Sequence, residues 1–374
     1  MPGPMKARKS ASLPTMSVSK SPVPAPPIAE LEHHPDQPLL LYAQLRRVEQ
    51  LETRTGQPYA ALELADESGT IAARIWSDQS AAMQAAAELA AGDLVKVLAT
   101  TDLYQQRLQL AVTRLRRADP ETDALDLGAI VGRGSEAIAG RHCSTLVFDI
   151  ETVPAHNTRK VPSMIAQAVS KAAERGDGDE GKVMSLSPLL GKVVSLAFAD
   201  AETWSPQGPD DVSQVTVLAV PPEGWQAEGH PPWLVPVDEP TLLRCFWSLA
   251  ASAPLVVTYN GRGFDVPFLV ARSLVHGIAA RVDLLSNRFS LRPHLDLYQL
   301  LSGGRALGPM SLDVVCWALG VTSPKDVMDG SMVAPAYEKG EIERIARYNA
   351  GDVAATIEVF LRAREHILKH RADF

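Results

Sequence analysis

Apolar and polar positions alternate with a period of two through much of the first third of the chain. In LLLYAQLRRVEQ (39–50), Leu39, Leu41, Ala43 and Leu45 fall on one face, which predicts a strand with one side buried. PYAALELADESGTIAARIW (58–76) holds two such runs around a turn at Asp66–Gly69, with Ile71, Ala73 and Ile75 opposite Arg74 and Trp76. QSAAMQAAAELAAG (79–92) switches to an Ala-rich helical stretch, expected to close at Gly92. DLVKVLATTDLY (93–104) and RLQLAVTRLRRA (107–118) return to strand.

Three strands, a helix and two strands is the element order of an OB barrel, and the 55–76 hairpin resembles those of nucleic-acid-binding OB modules. Residues 36–118 are therefore expected to form an N-terminal all-β OB-type barrel that binds nucleic acid. Arg46, Arg47, Arg74 and Arg107 with Tyr42, Tyr59, Trp76 and Tyr104 are its candidate stacking and phosphate-tracking face. A barrel serving only as a protein–protein spacer is the alternative. Residues 1–35, rich in Pro, Ser and Ala, are expected to be a disordered tail, and 119–141 a linker with one short helix.

From residue 142 the pattern alternates β and α, predicting one α/β domain over 142–374. Strands are expected near Thr145–Thr152, Lys192–Ala199, Gln214–Val220, Leu255–Tyr259 and His294–Leu297. Helices are expected at Thr241–Ser252, Phe264–His276, Ser311–Leu319 and Glu341–His370. ERGDGDEGK (174–182) and PPEGWQAEGHPPW (221–233) read as surface excursions.

The totals change this picture little. A net charge of −8 over 374 residues argues against tight nonspecific duplex binding, though not against a local basic patch. Cys143, Cys245 and Cys316 lack zinc-like spacing and suit reduced thiols, hence a cytoplasmic setting. No apolar run reaches the ~18 residues of a membrane span, and no targeting signal is evident. His142, His156 and His294 show no ligand spacing and are expected to be structural or exposed. GDGDEGKV (176–183) nearly spells a phosphate loop, but Val183 replaces the required Ser or Thr and its acids would repel phosphate.

The chemistry begins at LVFDIETVP (146–154). Alternation puts Asp149 and Glu151 on one face of a strand whose Phe148 and Ile150 face the core. Two carboxylates that close repel unless a cation lies between them. In VVTYNGRGFDVPFLVARSL (256–274) a strand turns through Asn260-Gly261-Arg262-Gly263 into a helix whose first turn carries Asp265. In RIARYNAGDVAATIEVF (344–360), Tyr348 and Asp352 are four apart on a helix and share a face.

Alone each is a weak signal. In this order, within one α/β domain, they resemble the DEDD 3′–5′ exonucleases of the ribonuclease H-like fold. Tyr348 four residues before Asp352 is the mark of the DEDDy branch. YNGRGFDVPFLVARSL, HLDLYQLLS, SPKDVMDGSMV and YNAGDVAATIEVFLR are similar to the group related to the proofreading domain of family B DNA polymerases, over roughly residues 142–371. The resemblance implies two Mg²⁺ or Mn²⁺ ions held by Asp149, Glu151, Asp265 and Asp352. Asp149 would bridge the ions, Glu151 and Asp352 would hold the nucleophile-side one, and Asp265 would serve the second directly or through water. Tyr348 would orient the attacking water, and Asn260 and Phe264 would pack against the terminal nucleotide. Plain core packing is the alternative for Phe264. Asp296 is expected to be a structural acid or one that supports a ligand, outside the ligand set, and Lys325 and Ser331 are candidate phosphate contacts. The implied partner is single-stranded DNA, or RNA, with a free 3′ end. An exoribonuclease resembling the ribonuclease D group, and a non-catalytic single-strand-binding protein on a nuclease scaffold, stay open.

Overall fold

A computed structural model describes residues 21–374 except 124, 157, 177, 209–210, 227–228, 287–289, 304–307, 309, 323–327 and 373. The chain divides into two compact units: 1–43, 47–89 and 95–118 form the first, and 44–46, 90–94 and 119–374 the second.

In the first unit a two-residue strand, β1 (Val23–Pro24), precedes β2 (Leu39–Glu52), β3 (Pro58–Asp66), β4 (Gly69–Trp76), helix α1 (Ser80–Glu88), β5 (Leu94–Tyr104) and β6 (Arg107–Arg117). The order β2-β3-β4-β6-β5, closed by β2 pairing with β5 and with β4 parallel to β6, is a five-stranded barrel of OB topology. Closure leaves these strands no open edge. Leu45, Leu64, Ile75, Val95, Val97 and Leu110 fill the inside, as the alternation predicts. Asp66 makes the β3–β4 turn by accepting from the N–H groups of Ser68 (2.8 Å) and Gly69 (3.1 Å).

Two expectations need correction here. Residues 21–35 are not a disordered tail: Val23 and Pro24 pair parallel to β2, Ile28 is buried, and its N–H donates to Asp66 Oδ2 at 2.8 Å. Pro is tolerated on such an edge, so composition alone hid the one apolar anchor. Residues 1–20 lie outside the described residues. The helix also ends at Glu88, before Gly92: Leu89 is already extended, and Gly92 serves the turn into β5 at φ +98°.

In the second unit, 119–141 is not a free linker. Helix α2 (Leu127–Val131) is capped by Asp126, Ser248 Oγ donates to the Val131 carbonyl (2.9 Å), and Ile138 is buried in the core. Its periodicity is too short to show the packing. Next come β7 (Thr145–Pro154), α3 (Ser163–Ala173), α4 (Glu180–Ser185), β8 (Gly191–Asp200), β9 (Thr216–Ala219), β10 (Leu234–Pro236) and α5 (Glu239–Ser252). After them follow β11 (Leu255–Thr258), α6 (Asp265–His276), β12 (His294–Asp296), α7 (Leu297–Ser302), α8 (Leu312–Leu319), α9 (Val333–Glu338) and α10 (Ile342–His366). Helices α3, α4, α7 and α9 and strand β10 lie where the pattern gave no element. Asp179 caps α4 inside the supposed excursion, its Oδ1 accepting from Lys182 N–H at 3.0 Å.

The sheet runs β10-β9-β8-β7-β11-β12, antiparallel across β7, β8 and β9 and parallel from β7 through β11 to β12. Without its edge strand β10 this is ribonuclease H-like order. Val147, Ala197, Val217, Val257 and Leu295 meet α8, α9 and α10 on one face. Phe148, Ile150, Leu196, Phe198 and Val256 meet α5 and α6 on the other. Alternation along β7 therefore turns Asp149 and Glu151 toward α10. A buried ion pair ties α5, α6 and β8 together. Glu239 accepts from Arg272 Nε (2.8 Å) and Nη2 (2.7 Å) and from Val193 N–H (2.9 Å), and His276 Nε2 lies 2.8 Å from its Oε2.

Candidate active site

The site forms where β7 outruns its neighbour. Val257 pairs with Val147 and β11 stops at Thr258, so Asp149 and Glu151 sit beyond the end of β11, in the crevice that open α/β sheets offer to ligands. Helix α10 crosses this face and supplies Asp352. One carboxylate oxygen from each of Asp149, Glu151 and Asp352 lies within 4.8 Å of the others. Asp149 and Glu151 are half-buried and Asp352 is buried. Three partly desolvated like charges at that spacing repel unless a cation joins them. An all-oxygen donor set fits a hard divalent ion such as Mg²⁺ or Mn²⁺ and not zinc.

Tyr348 is buried one turn before Asp352 on the same helix. Burial, then the charges of Asp352, Glu151 and Asp149, push its phenol well above the usual tyrosine value. It stays protonated at neutral pH and is a donor.

Asp265 stands apart from the three. It lies in the first turn of α6, buried, with Oδ1 accepting from Ile150 N–H at 3.2 Å through the strand that carries Asp149 and Glu151. Burial, with smaller pushes from Asp296 and Asp352, raises its pKa.

The turn from β11 to α6 has no room for side chains at its glycines. A Cβ on Gly261 would lie 2.4 Å from Thr258 Oγ1, and one on Gly263 would lie 2.6 Å from Asn260 Oδ1. Asn260 adopts φ +60°. Asp296 holds this turn: its Oδ1 accepts from Asn260 N–H (3.1 Å) and Gln299 N–H (3.2 Å), and its Oδ2 from Arg262 N–H (3.0 Å). Asp296 is thus a structural clamp. Below it His294 is buried and neutral, donating from Nδ1 to the Leu284 carbonyl (2.9 Å) and accepting at Nε2 from Thr258 (2.8 Å). Burial pushes its pKa down to about 4.

Asn260 lines a 490 Å³ cleft with Asp149, Asp352, Tyr259, Tyr298 and Met310. Tyr259 pins one wall through its hydroxyl to the Met310 carbonyl at 2.5 Å. Phe264 is half-buried, its ring 5.5 Å from that of Phe268 beside the core under α5 and α6. It is not among the cleft-lining residues. Ser331 hydrogen-bonds its own turn through Asp329; Lys325 lies outside the described residues.

Sequence reasoning passed over Asn349 and the tyrosine wall. Asn349 is fully buried and donates from Nδ2 to Asp149 Oδ2 at 3.0 Å. A polar residue on the inward face of an otherwise apolar helix was the available signal.

Residues 234–370 match the family model described as a predicted 3′–5′ exonuclease related to the exonuclease domain of PolB. The match contains Asp265, Tyr348 and Asp352 but not β7 with Asp149 and Glu151. The DNA polymerase of Desulfurococcus sp. (strain Tok) is 30% identical over 119 residues, 28% of this chain and 15% of the relative. That of Pyrococcus glycovorans is 29% identical over the same length and shares. The chain thus spans about a seventh of these relatives' length. The family B DNA polymerase of Pyrobaculum calidifontis aligns at TM-score 0.39 and 15% identity, over 87% of this chain and 46% of that one. The second OB-fold domain of replication protein A from Methanococcus maripaludis aligns at TM-score 0.19 and 17% identity, over 25% of this chain and 92% of that one. Residues 234–370 of the second unit are thus similar to PolB-related 3′–5′ exonuclease domains, and the first unit is an OB-type barrel.

Proposed function

We propose that the chain is a metal-dependent 3′–5′ exonuclease that removes nucleotides from single-stranded ends, with DNA favoured over RNA. The observation that carries this reading is the convergence of Asp149, Glu151 and Asp352, with Tyr348 buried one turn before the last. Asp149, Glu151 and Asp352 would hold divalent metal, with Asp265 serving a second ion directly or through water. Two bound Mg²⁺ or Mn²⁺ ions would supply Lewis-acid stabilisation of charge on the phosphate and lower the pKa of the attacking water. Tyr348, held protonated, orients that water by donating or relaying a hydrogen bond. Asn260 and Phe264 would position the terminal nucleotide. A P–O bond forms to water and the bond to the 3′-oxygen breaks, releasing a 5′-mononucleotide.

End-labelled single strands of DNA and RNA, incubated with Mg²⁺ or Mn²⁺, test this. A ladder shortening from the 3′ end is expected, faster on DNA. No metal-dependent shortening of either sugar would leave the reading without support, and faster RNA digestion would move it to end-trimming of RNA.

The barrel would hold the strand. The Arg74 guanidinium lies 5.5 Å from the Tyr59 ring and 4.6 Å from the Tyr104 ring, and Tyr59 and Trp76 are 5.6 Å apart. Trp76 is 40% and Tyr104 49% exposed, leaving π-faces open to stacking. W76A/Y104A is expected to weaken single-strand binding by at least about 30-fold in fluorescence anisotropy, at ~1–3 kcal/mol for each of the two stacked bases. Unchanged affinity would point to the protein-spacer alternative. Cys143, Cys245 and Cys316 are buried thiols outside any disulfide, which suits a reducing, cytoplasmic setting. Among the described residues no helix is long and apolar enough to cross a membrane.

A further inference from the structure

We infer that Asn349 is a positioning residue for Asp149, holding its carboxylate in the orientation that ligates metal. The inference rests on the metal-site reading of the three acids.

Asn349 follows Tyr348 on α10, and its side chain is turned inward, with no exposed surface. Its Nδ2 donates to Asp149 Oδ2 at 3.0 Å, while its Oδ1 is buried with no hydrogen-bond partner. That pairing fixes the amide orientation, because a flipped amide would set Oδ1 against a carboxylate oxygen. A buried acceptor left unmade costs free energy that an apolar side chain of similar volume would avoid. The amide is thus a poor choice for packing and a good one for its donor. Asp149 shares β7 with Glu151, and an Asp carboxylate that rotates about its χ2 presents its oxygens to metal only part of the time. A donor at Oδ2 restricts that rotation. Hydrogen bonds to ligating groups of this kind commonly set metal affinity by about 10- to 100-fold.

Isothermal titration of the full chain with Mn²⁺, alongside melting curves in chelator, separates positioning from packing. N349L keeps the number and branching of heavy atoms, with two larger methyls, and removes both the donor and the unpartnered oxygen. It is expected to bind Mn²⁺ about 10- to 100-fold more weakly with an unchanged or higher melting temperature. N349A is expected to lose the same affinity but to melt lower, because it leaves a cavity. N349Q, which can restore a donor, should recover part of the affinity. Wild-type affinity in a folded N349L or N349A overturns the inference, as does a loss of affinity only in proportion to a loss of folded protein. D149A is the separating control: if it binds Mn²⁺ as wild type does, the metal-site reading fails. If D149A loses binding and N349L does not, only the positioning role fails.

Discussion

D149A and D352A are each expected to lower nucleotide release by at least about a thousandfold, ~4 kcal/mol of transition-state stabilisation. The carboxylates of Asp149, Glu151 and Asp352 already stand within 4.8 Å, so removing one takes away a ligand position that no neighbour can refill. D352A deletes one of three mutually repelling charges and should leave the metal-free protein about as stable as wild type, whereas D149A should melt lower because it also strands the buried Asn349 Nδ2. Y348F keeps the ring and removes the donor beside Asp352. It should slow cleavage by about a hundredfold, the scale of a misplaced reactant, with Mn²⁺ affinity largely intact. Single-turnover digestion of end-labelled DNA, read beside melting curves in chelator, checks all three. D149A and D352A digesting at the wild-type rate would remove the nuclease mechanism, and a Y348F that mainly loses metal would remove the water-orienting role.

R272L is expected to destabilise the second unit by about 3–5 kcal/mol, because it strands the buried Glu239 carboxylate without its counter-charge. Both side chains are under 10% exposed, and the pair joins α5 to α6 while Val193 N–H ties it to β8. E239L/R272L should recover much of that loss, since well-packed apolar replacements of buried ion pairs are often neutral. Burial works to raise the Glu239 pKa, but hydrogen bonds from Arg272, Val193 and His276 outweigh it and hold the group below its ordinary 4.5. The folded value lies below the unfolded one, so the contribution is complete above pH 4.5 and lost as pH falls through the folded value. Urea unfolding from pH 7 down to 3.5 should show the wild-type advantage over R272L narrowing as pH falls, first as burial makes the variant's unpaired Glu239 take up a proton and then, below pH 4.5, as the wild-type contribution is lost. An R272L cost under about 1 kcal/mol at pH 7 would refute the account.

Short-range pattern made much of this protein legible. The barrel strands follow a period of two, so Leu39, Leu41, Ala43 and Leu45 all face inward as the alternation requires. The Asp66–Gly69 turn is local chemistry and lies where it was expected. Asp149 and Glu151 had to share a face of β7, and Tyr348 and Asp352 a face of α10, because strand and helix periods are properties of the backbone.

Long-range placement was not legible in that way. Residues 21–35 and 119–141 look like tail and linker because the first buries only Ile28 and the second carries Ile130, Val131 and Ile138 in elements too short to show a period. Whether such an anchor is buried depends on a surface formed by distant residues. Asp296 and Asp265 are both acids at an element boundary, yet one clamps a turn through three backbone N–H groups and the other meets the backbone of β7. Sequence by itself determined the element types, the faces and the residues able to carry the chemistry, because those follow from local backbone geometry. Only the tertiary structure decided which carboxylates meet, which is a clamp, and that Asn349 stands against Asp149, because contacts between residues 200 positions apart are set by how the layers pack.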